Sequence, residues 1–267
     1  MTLPTLFVSH GAPTVLVDGD PARPAWSRIV ASLPRPRAIV VMSPHWLTSA
    51  PRVASVQRHR TLHDFAGFPP ALYAFDYSAP GDPALAGAIA TRLAAAGLDA
   101  EAVRRDDIDH GAWVPLLSMY PAADVPVVQL AVQPRLGPAH HFALGMALAG
   151  LRDEEVLLLG SGALTHNLRE VQLQSRTAPV PAWVSELAGW LDDRLAAGDT
   201  GSLLDYRRLA PHAERNHPTE EHLLPLFFAL GAAGKGARAT REHAGFAYGA
   251  VAMHAYSFRT EGHHETV

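Results

Sequence analysis

Three histidines in this chain each follow an apolar run that ends in small or turn-forming residues. His10 stands in LPTLFVSHGAP, His45 in RAIVVMSPHW, and His166 in GSGALTHNL (160–168), directly after Val156–Leu159. Neutral imidazole is the commonest metal ligand and a ready proton acceptor near neutral pH. One such histidine is ordinary, and a hydrogen-bonded structural role explains it. Three at equivalent positions suggest ligands supplied to one ion by separate elements. The chain has 15 histidines and no cysteine, so a transition-metal site must be built from imidazole and carboxylate.

Further candidates lie in three other segments. His222, in NHPTEEHLLPL, reads as the start of a helix over Thr219–Leu230, with Thr219 as cap and acids in the first turn. It is a fourth ligand candidate or a surface capping-turn histidine. Its neighbour Glu221 is a rival ligand, but adjacent helical residues point about 100° apart and do not share an ion. His110, in DHGAWVPL, is a pocket histidine or a loop histidine, and Asp109 beside it could orient the ring. His63 and Asp64, in LHDFAGFP, reach the same pocket or simply order their loop.

The elements that position these residues follow from hydrophobic patterning. Short apolar runs at Leu3–Ser9, Ala38–Met42, Arg52–Gln57, Val125–Val132 and Glu155–Leu159, and one within Phe246–Phe258, read as buried strands. Helical patterns cover Ala25–Leu33, Pro83–Ala95, Pro138–Leu151 and Pro181–Ala196. The alternation predicts an α/β fold: one domain with a central, mostly parallel or mixed sheet flanked by helices. In open sheets of this kind, ligands bind beyond the carboxyl ends of the strands. His10, His45 and His166 therefore converge if their strands are parallel neighbours. Leu62–Asp82, rich in Pro, Gly and aromatics, reads as a long loop over the pocket, with Leu62–Tyr77 and Gly111–Leu116 as expected lining.

Composition removes several classes of function. The chain of 267 residues is 48% hydrophobic with a formal net charge of −4, and no basic block marks a nucleic-acid surface. No apolar run reaches the roughly 18 residues of a membrane span. The opening residues lack the basic flank of a secretory leader, so the expected location is cytoplasmic. GxGxxG, Walker, HExxH and GxSxG motifs are absent, and Ser161 in GSGAL lacks the flanks of a nucleophile turn.

SHGAP, SPHW, HDFAGFPPALY, DHGAWVPL, GSGALTHNL and PTEEHLLPL occur in this order along nearly the whole chain. Together they resemble the class III extradiol ring-cleavage dioxygenases, in the 4,5-DOPA dioxygenase branch of the LigB-like superfamily. The resemblance implies a LigB-like catalytic domain over residues 1–259, with 260–267 as a flexible tail. It implies a divalent metal held by His10, His45 and His222, and His166 as a further ligand or the catalytic base. It gives His110 a role in contacting substrate or moving a proton; His63, from its place in the LHDFAGFP loop, is a further substrate-binding candidate. The implied substrates are a catechol such as L-DOPA and O2, with no nucleic acid or membrane partner; the chain is a monomer or a homodimer. Iron(II) oxygenase sites commonly use two histidines and a carboxylate. With His222 as third ligand, the site suits Zn(II) as well as Fe(II). Two other readings use the same residues: a zinc hydrolase, and a metal-binding protein without turnover.

Overall fold

The computed structural model describes residues 2–171 and 175–260. Twelve strands are formed among them. They are β1 (Thr5–Ser9), β2 (Ala38–Leu47), β3 (Arg52–Ala54), β4 (Arg60–Thr61), β5 (Glu101–Val103), β6 (Asp107–Ile108), β7 (Val127–Val132), β8 (Val156–Gly162), β9 (Arg238–His243), β10 (Phe246–Ala247), β11 (Val251–Ala252) and β12 (Ala255–Arg259). The longer helices are α1 (Ala22–Ala31), α2 (Pro83–Ala95), α3 (His110–Met119), α4 (Gly137–Leu148) and α5 (Ala182–Ala197). Three short ones, α6 (Thr200–Leu204), α7 (Tyr206–Leu209) and α8 (Ala213–Asn216), precede α9 (Leu224–Ala232).

Eight strands form one mixed sheet in the order β5-β3-β7-β2-β8-β1-β12-β9. At its centre β7, β2, β8 and β1 run parallel, while β12 and β9 close one side antiparallel. Both faces of the centre are covered, which explains why these strands read as continuous apolar runs. In β2, Val40 and Met42 face a core shared with α2, α4, α5 and α9, and Ile39 and Val41 face a second core with α1 and α3. The side-chain period of two thus serves two cores at once.

The expected mixed α/β domain is present, and three local expectations need correction. β2 runs on to Leu47, so His45 lies within the strand, in the irregular stretch between Met42 and Leu47. The helix expected from Thr219 begins at Leu224 instead. Pro225 suits that start, because in the first helical turn its missing N–H would have no helical partner anyway. Thr219 caps nothing; its hydroxyl donates to Glu221 Oε1 at 2.8 Å. No helix is expected over DHGAWVPL, yet α3 opens at its His110, with Pro115 inside the helix. The edge strand β9 was not expected at all. Its polar sequence RATREH suits an exposed edge and carries no apolar alternation. The C-terminal tail lies outside the described residues after Thr260.

Helix α9 lies so close under β8 that a Cβ on Gly160 would sit 2.1 Å from the Pro225 carbonyl oxygen. Gly189, inside α5, has open space around the same atom. Gly160→Ala is expected to destabilise the fold by roughly 1–3 kcal/mol through overpacking. Gly189→Ala is expected to stabilise it by roughly 0.5–1 kcal/mol, because alanine is the better helix former. Urea unfolding of the two variants checks the opposite signs.

Candidate metal centre

The three central strands β2, β8 and β1 are parallel neighbours, so their carboxyl ends share one rim of the sheet. His10 follows β1, His45 lies two residues before the end of β2, and His166 follows β8 by four residues. His222 arrives from the turn before α9, where its carbonyl accepts the Ala163 N–H at 2.8 Å. Gly162 makes that approach possible, since a Cβ there would lie 2.2 Å from the His222 oxygen. Gly111 has the same use on the other side, where a Cβ would meet Ser43, His45 and His10. Small residues in these motifs therefore serve close approach as much as tight turns.

His10, His45 and His222 each offer a nitrogen, and the three nitrogens lie within 4.8 Å of one another. The Nε2 atoms of His10 and His45 are 3.3 Å apart. Two nitrogens about 2.0–2.1 Å from one tetrahedral ion are about 3.4 Å apart, so this spacing fits a shared ion. The outward nitrogens are turned to polar partners. His222 Nδ1 is 3.2 Å from Glu221 Oε1. His10 Nδ1 is 3.1 Å from Ser161 Oγ, and Ser161 in turn donates to the Gly111 carbonyl. Ser161 has one proton, so it must accept from His10 Nδ1–H, which leaves the His10 Nε2 lone pair facing the site. The Gly111 carbonyl needs that donor because Pro115, four residues on, has no N–H to give it.

His166 is not in the converging trio. Its ring lies flat on His222, with centroids 3.5 Å apart and planes 7° from parallel. His110 caps the opposite side, with its ring centroid 4.0 Å from that of His45. Its partner is Asp64, not Asp109. The His110 ring Nδ1–H and backbone N–H both donate to Asp64 Oδ1, at 2.8 and 3.0 Å. Asp109 is fully buried and accepts from Ser43, Gln129 and the Ala112 N–H, which caps α3. Adjacency in sequence pointed to the wrong carboxylate.

His63 takes the loop-ordering role. Its Nε2 meets the Phe75 carbonyl at 3.0 Å, and it does not line the cavity. Gly111–Leu116 also fall short of the lining expected of them, with Gly111 packed beneath the histidines and the rest of α3 buried. Ser161 and Glu221 were noticed for other roles, as a nucleophile and a ligand. Their actual use, orienting imidazoles, leaves no mark in spacing.

The cavity at this rim encloses about 380 Å³ and is lined by all five histidines, Asp64 and apolar groups. A larger cleft of about 520 Å³, along Met146, Leu230 and Lys235, has neither histidine nor carboxylate in its lining. The chemistry belongs to the smaller cavity. Burial, reinforced by the neighbouring imidazoles, drives the pKa of His10 and His222 well below 6.5. Burial likewise takes His45 and His166 down to about 4. Burial raises Asp64, but hydrogen bonds and attraction from His110 outweigh it and hold the carboxyl at about 2. At neutral pH the trio is thus uncharged with lone pairs free, the state a divalent metal requires.

An α/β fold with a histidine-built cation site at the ends of parallel strands describes a class of metalloenzyme. Comparison with known proteins narrows it. The model of the catalytic LigB subunit of aromatic ring-opening dioxygenase matches residues 4–258. The chain is 40% identical over 263 residues to 4,5-DOPA dioxygenase extradiol of Beta vulgaris, covering 95% of this chain and 96% of that protein. A protein of the same description from Escherichia coli K12 is 40% identical over 235 residues, with 86% and 85% covered. The crystal structure of an uncharacterized Escherichia coli K12 protein superposes with a TM-score of 0.80 at 34% identity, covering 96% of this chain and 99% of the other. The chain belongs to the LigB family and is an extradiol, ring-cleaving dioxygenase. Among the described residues, no helix is long and apolar enough to cross a membrane.

The depressed histidine pKa values set a pH dependence. Unfolded histidines protonate near 6.5. His45 and His166 stay neutral in the fold down to about 4. Between these values the unfolded chain binds more protons, so metal-free protein loses stability as pH falls from 6.5 towards 4. The urea midpoint is expected to drop between pH 7.5 and 5, and to drop less in His166→Gln. A flat midpoint would show that these rings are not held neutral by the fold.

Proposed function

We propose that the protein opens the ring of a catechol with O2, inserting both oxygen atoms, and that His10, His45 and His222 hold the divalent metal it uses. The observation that carries this reading is the gathering of five imidazoles around one cavity in a LigB-family chain. Fe(II) bound by the trio supplies activation of O2 and acidification of the substrate hydroxyls. Zn(II) suits the same three imidazoles but has no redox chemistry, which makes iron the catalytic metal here. L-DOPA is the example supplied by the relatives' names. The catalytic domain of this reading spans residues 1–259.

His166 is the base. It is neutral at pH 7 because burial lowers its pKa to about 4, and it stands beside the trio instead of within it. It takes the proton that a catechol hydroxyl gives up on binding. His110 commits its Nδ1–H to Asp64, which fixes the tautomer and leaves Nε2 to the oxygen-bearing end of the substrate. Ser161 and Glu221 hold the rings of His10 and His222 in the orientation the metal needs.

Metal-stripped protein reloaded with Fe(II) or Zn(II), mixed anaerobically with L-DOPA or another catechol and then exposed to air, tests the reading. Oxygen uptake and a coloured ring-opened product are expected only with iron. Turnover without oxygen in the zinc sample would instead identify a hydrolase. His45→Ala is expected to lose both metal and activity.

Two further variants separate the roles. His166→Gln is expected to keep its metal and lose roughly 10²–10⁴-fold in kcat, the usual contribution of a positioned base. Loss of metal in that variant would make His166 a ligand. Ser161→Ala is expected to weaken metal affinity about 10–100-fold, measured by competition with a chelator, because His10 loses the partner that orients it.

A further inference from the structure

Asp64 is the one carboxylate among the described residues that line the histidine-rimmed cavity, and it comes from the 62–82 loop, outside the sheet that places the rings. Its neighbours in the chain are pinned on both sides. Trp113 Nε1–H donates to the Leu62 carbonyl at 2.9 Å. The His63 ring bonds the Phe75 carbonyl through Nε2 at 3.0 Å, and Phe65 stands edge-on to His110 with ring centroids 5.6 Å apart. Trp113 lies one helical turn beyond His110 on α3. The same helix therefore carries His110 and anchors the loop whose carboxylate meets it.

The two oxygens of Asp64 face different rings. Oδ1 accepts both donors of His110, the ring Nδ1–H at 2.8 Å and the backbone N–H at 3.0 Å. Oδ2 faces His45 Nδ1 at 3.9 Å. That is beyond hydrogen-bond range, yet close enough for the charge to favour a proton on the facing nitrogen. The His45 and His110 rings overlap, with centroids 4.0 Å apart and planes 38° from parallel, so one carboxylate reaches the Nδ1 edge of both. Nothing else among the described residues pairs with His45 Nδ1. Asp109 is committed to Ser43, Gln129 and the cap of α3.

The other nitrogen of His45, Nε2, stands 3.3 Å from His10 Nε2. It must keep its lone pair if the trio is to hold a cation. A neutral imidazole carries one proton, so a proton held at Nδ1 is a lone pair kept at Nε2. Ser161 and Glu221 give His10 and His222 a polar partner on the outward nitrogen. Asp64 Oδ2 is the corresponding group for His45.

We propose that Asp64 is a shared positioning residue: one oxygen fixes His110 for the substrate, and the other sets the tautomer of His45 for the metal. The His45 half rests on the trio as the metal site, and only the His110 half rests on the dioxygenase reading.

Asp64→Asn separates the halves. The amide oxygen can keep the His110 bonds, while the NH2 group replaces Oδ2 opposite His45. A donor there moves the His45 proton to Nε2 and takes that lone pair away from the trio. Long-range proton–nitrogen NMR spectra of the metal-free full chain report each tautomer, with His45 assigned from the signal lost in His45→Gln. Wild type is expected to show the Nδ1–H form of His45, and Asp64→Asn the Nε2–H form. Zn(II) affinity, measured by competition with a chelator, is expected to fall about 10–100-fold in Asp64→Asn. Asp64→Ala releases both rings. At saturating Fe(II) it is expected to fall at least about tenfold below Asp64→Asn in kcat for a catechol, with KM within about threefold, because a misplaced His110 fails in the transition state more than in binding.

An Nε2–H form of His45 in metal-free wild type overturns the proposal, and so do an unchanged tautomer and affinity in Asp64→Asn; both leave the trio standing as the metal site. Equal kcat in Asp64→Asn and Asp64→Ala overturns the shared role and leaves the dioxygenase standing. A second equivalent of Zn(II) that wild type binds and Asp64→Asn loses also overturns it, since Asp64 would then be a ligand together with His45 and His110, whose donor atoms lie within 4.8 Å of its own. Absence of oxygen uptake from every Fe(II)-loaded protein overturns the dioxygenase reading together with the His110 half.

Discussion

Pro115 lacks an N–H, and much of the site's order follows from that missing donor. In α3 the carbonyl of Gly111 would normally accept from the residue four positions on, which is Pro115. Left alone, it would be a buried acceptor without a partner, a state that costs about 1–3 kcal/mol. Ser161, at the end of β8, donates to it. This spends the only serine proton, so Ser161 Oγ can only accept from His10. His10 is thereby locked as the Nδ1–H tautomer with Nε2 facing His45. One helix defect thus ties α3, β8 and β1 together and sets the protonation pattern of a candidate ligand.

The same economy of contact explains the glycines. Gly111 lies against Ser43, His45 and His10, and Gly162 lies against the His222 carbonyl. Any side chain at either position would push the histidines apart by more than the tolerance of a metal site, where ligand distances hold to within about 0.2 Å. The imidazoles can crowd only while they are uncharged. A proton on one ring would meet low dielectric and neighbouring rings, and burial first, then those imidazoles, depress these pKa values. Asp64 and Glu221 at the periphery orient the rings and draw their N–H groups outward. A bound dication would face the remaining lone pairs.

The sequence carried the central fold well. Continuous apolar runs marked β1, β2, β7 and β8, and those strands are the parallel centre of the sheet. Because histidines followed three of them at equivalent positions, the arrival of His10, His45 and His166 at one cavity could be anticipated, although His222 and not His166 completes the close trio. Less was legible where tertiary contact overrides local pattern. DHGAWVPL shows no helical pattern, yet a helix forms there because Asp109 caps it and Ser161 accommodates Pro115. Thr219 looked like a cap, but the helix starts at Leu224, with Pro225 in its first turn. Asp109 looked like the partner of His110 because it is adjacent, whereas Asp64 reaches it from 46 residues away. Pairings across such separations depend on the fold and have no sequence period.

The architecture divides the work between two kinds of segment. The candidate metal ligands and His166 come from strand ends and the turns that follow or precede them, all anchored to a sheet whose two faces are packed. Much of the remaining lining comes from irregular chain: Phe65 and Phe68 from the 62–82 loop, Leu168 and Val171 from the segment after β8, and Tyr248 from the turn between β10 and β11. These loops are tied down by individual bonds, such as His63 to the Phe75 carbonyl and Tyr248 N–H to the Arg176 carbonyl. A change in a loop side chain can therefore reshape the lining without disturbing the strands that place the imidazoles. The imidazoles are held by the core of the fold, and the rest of the cavity lining by its periphery. Asp64 apart, the two can vary independently because separate sets of contacts hold them.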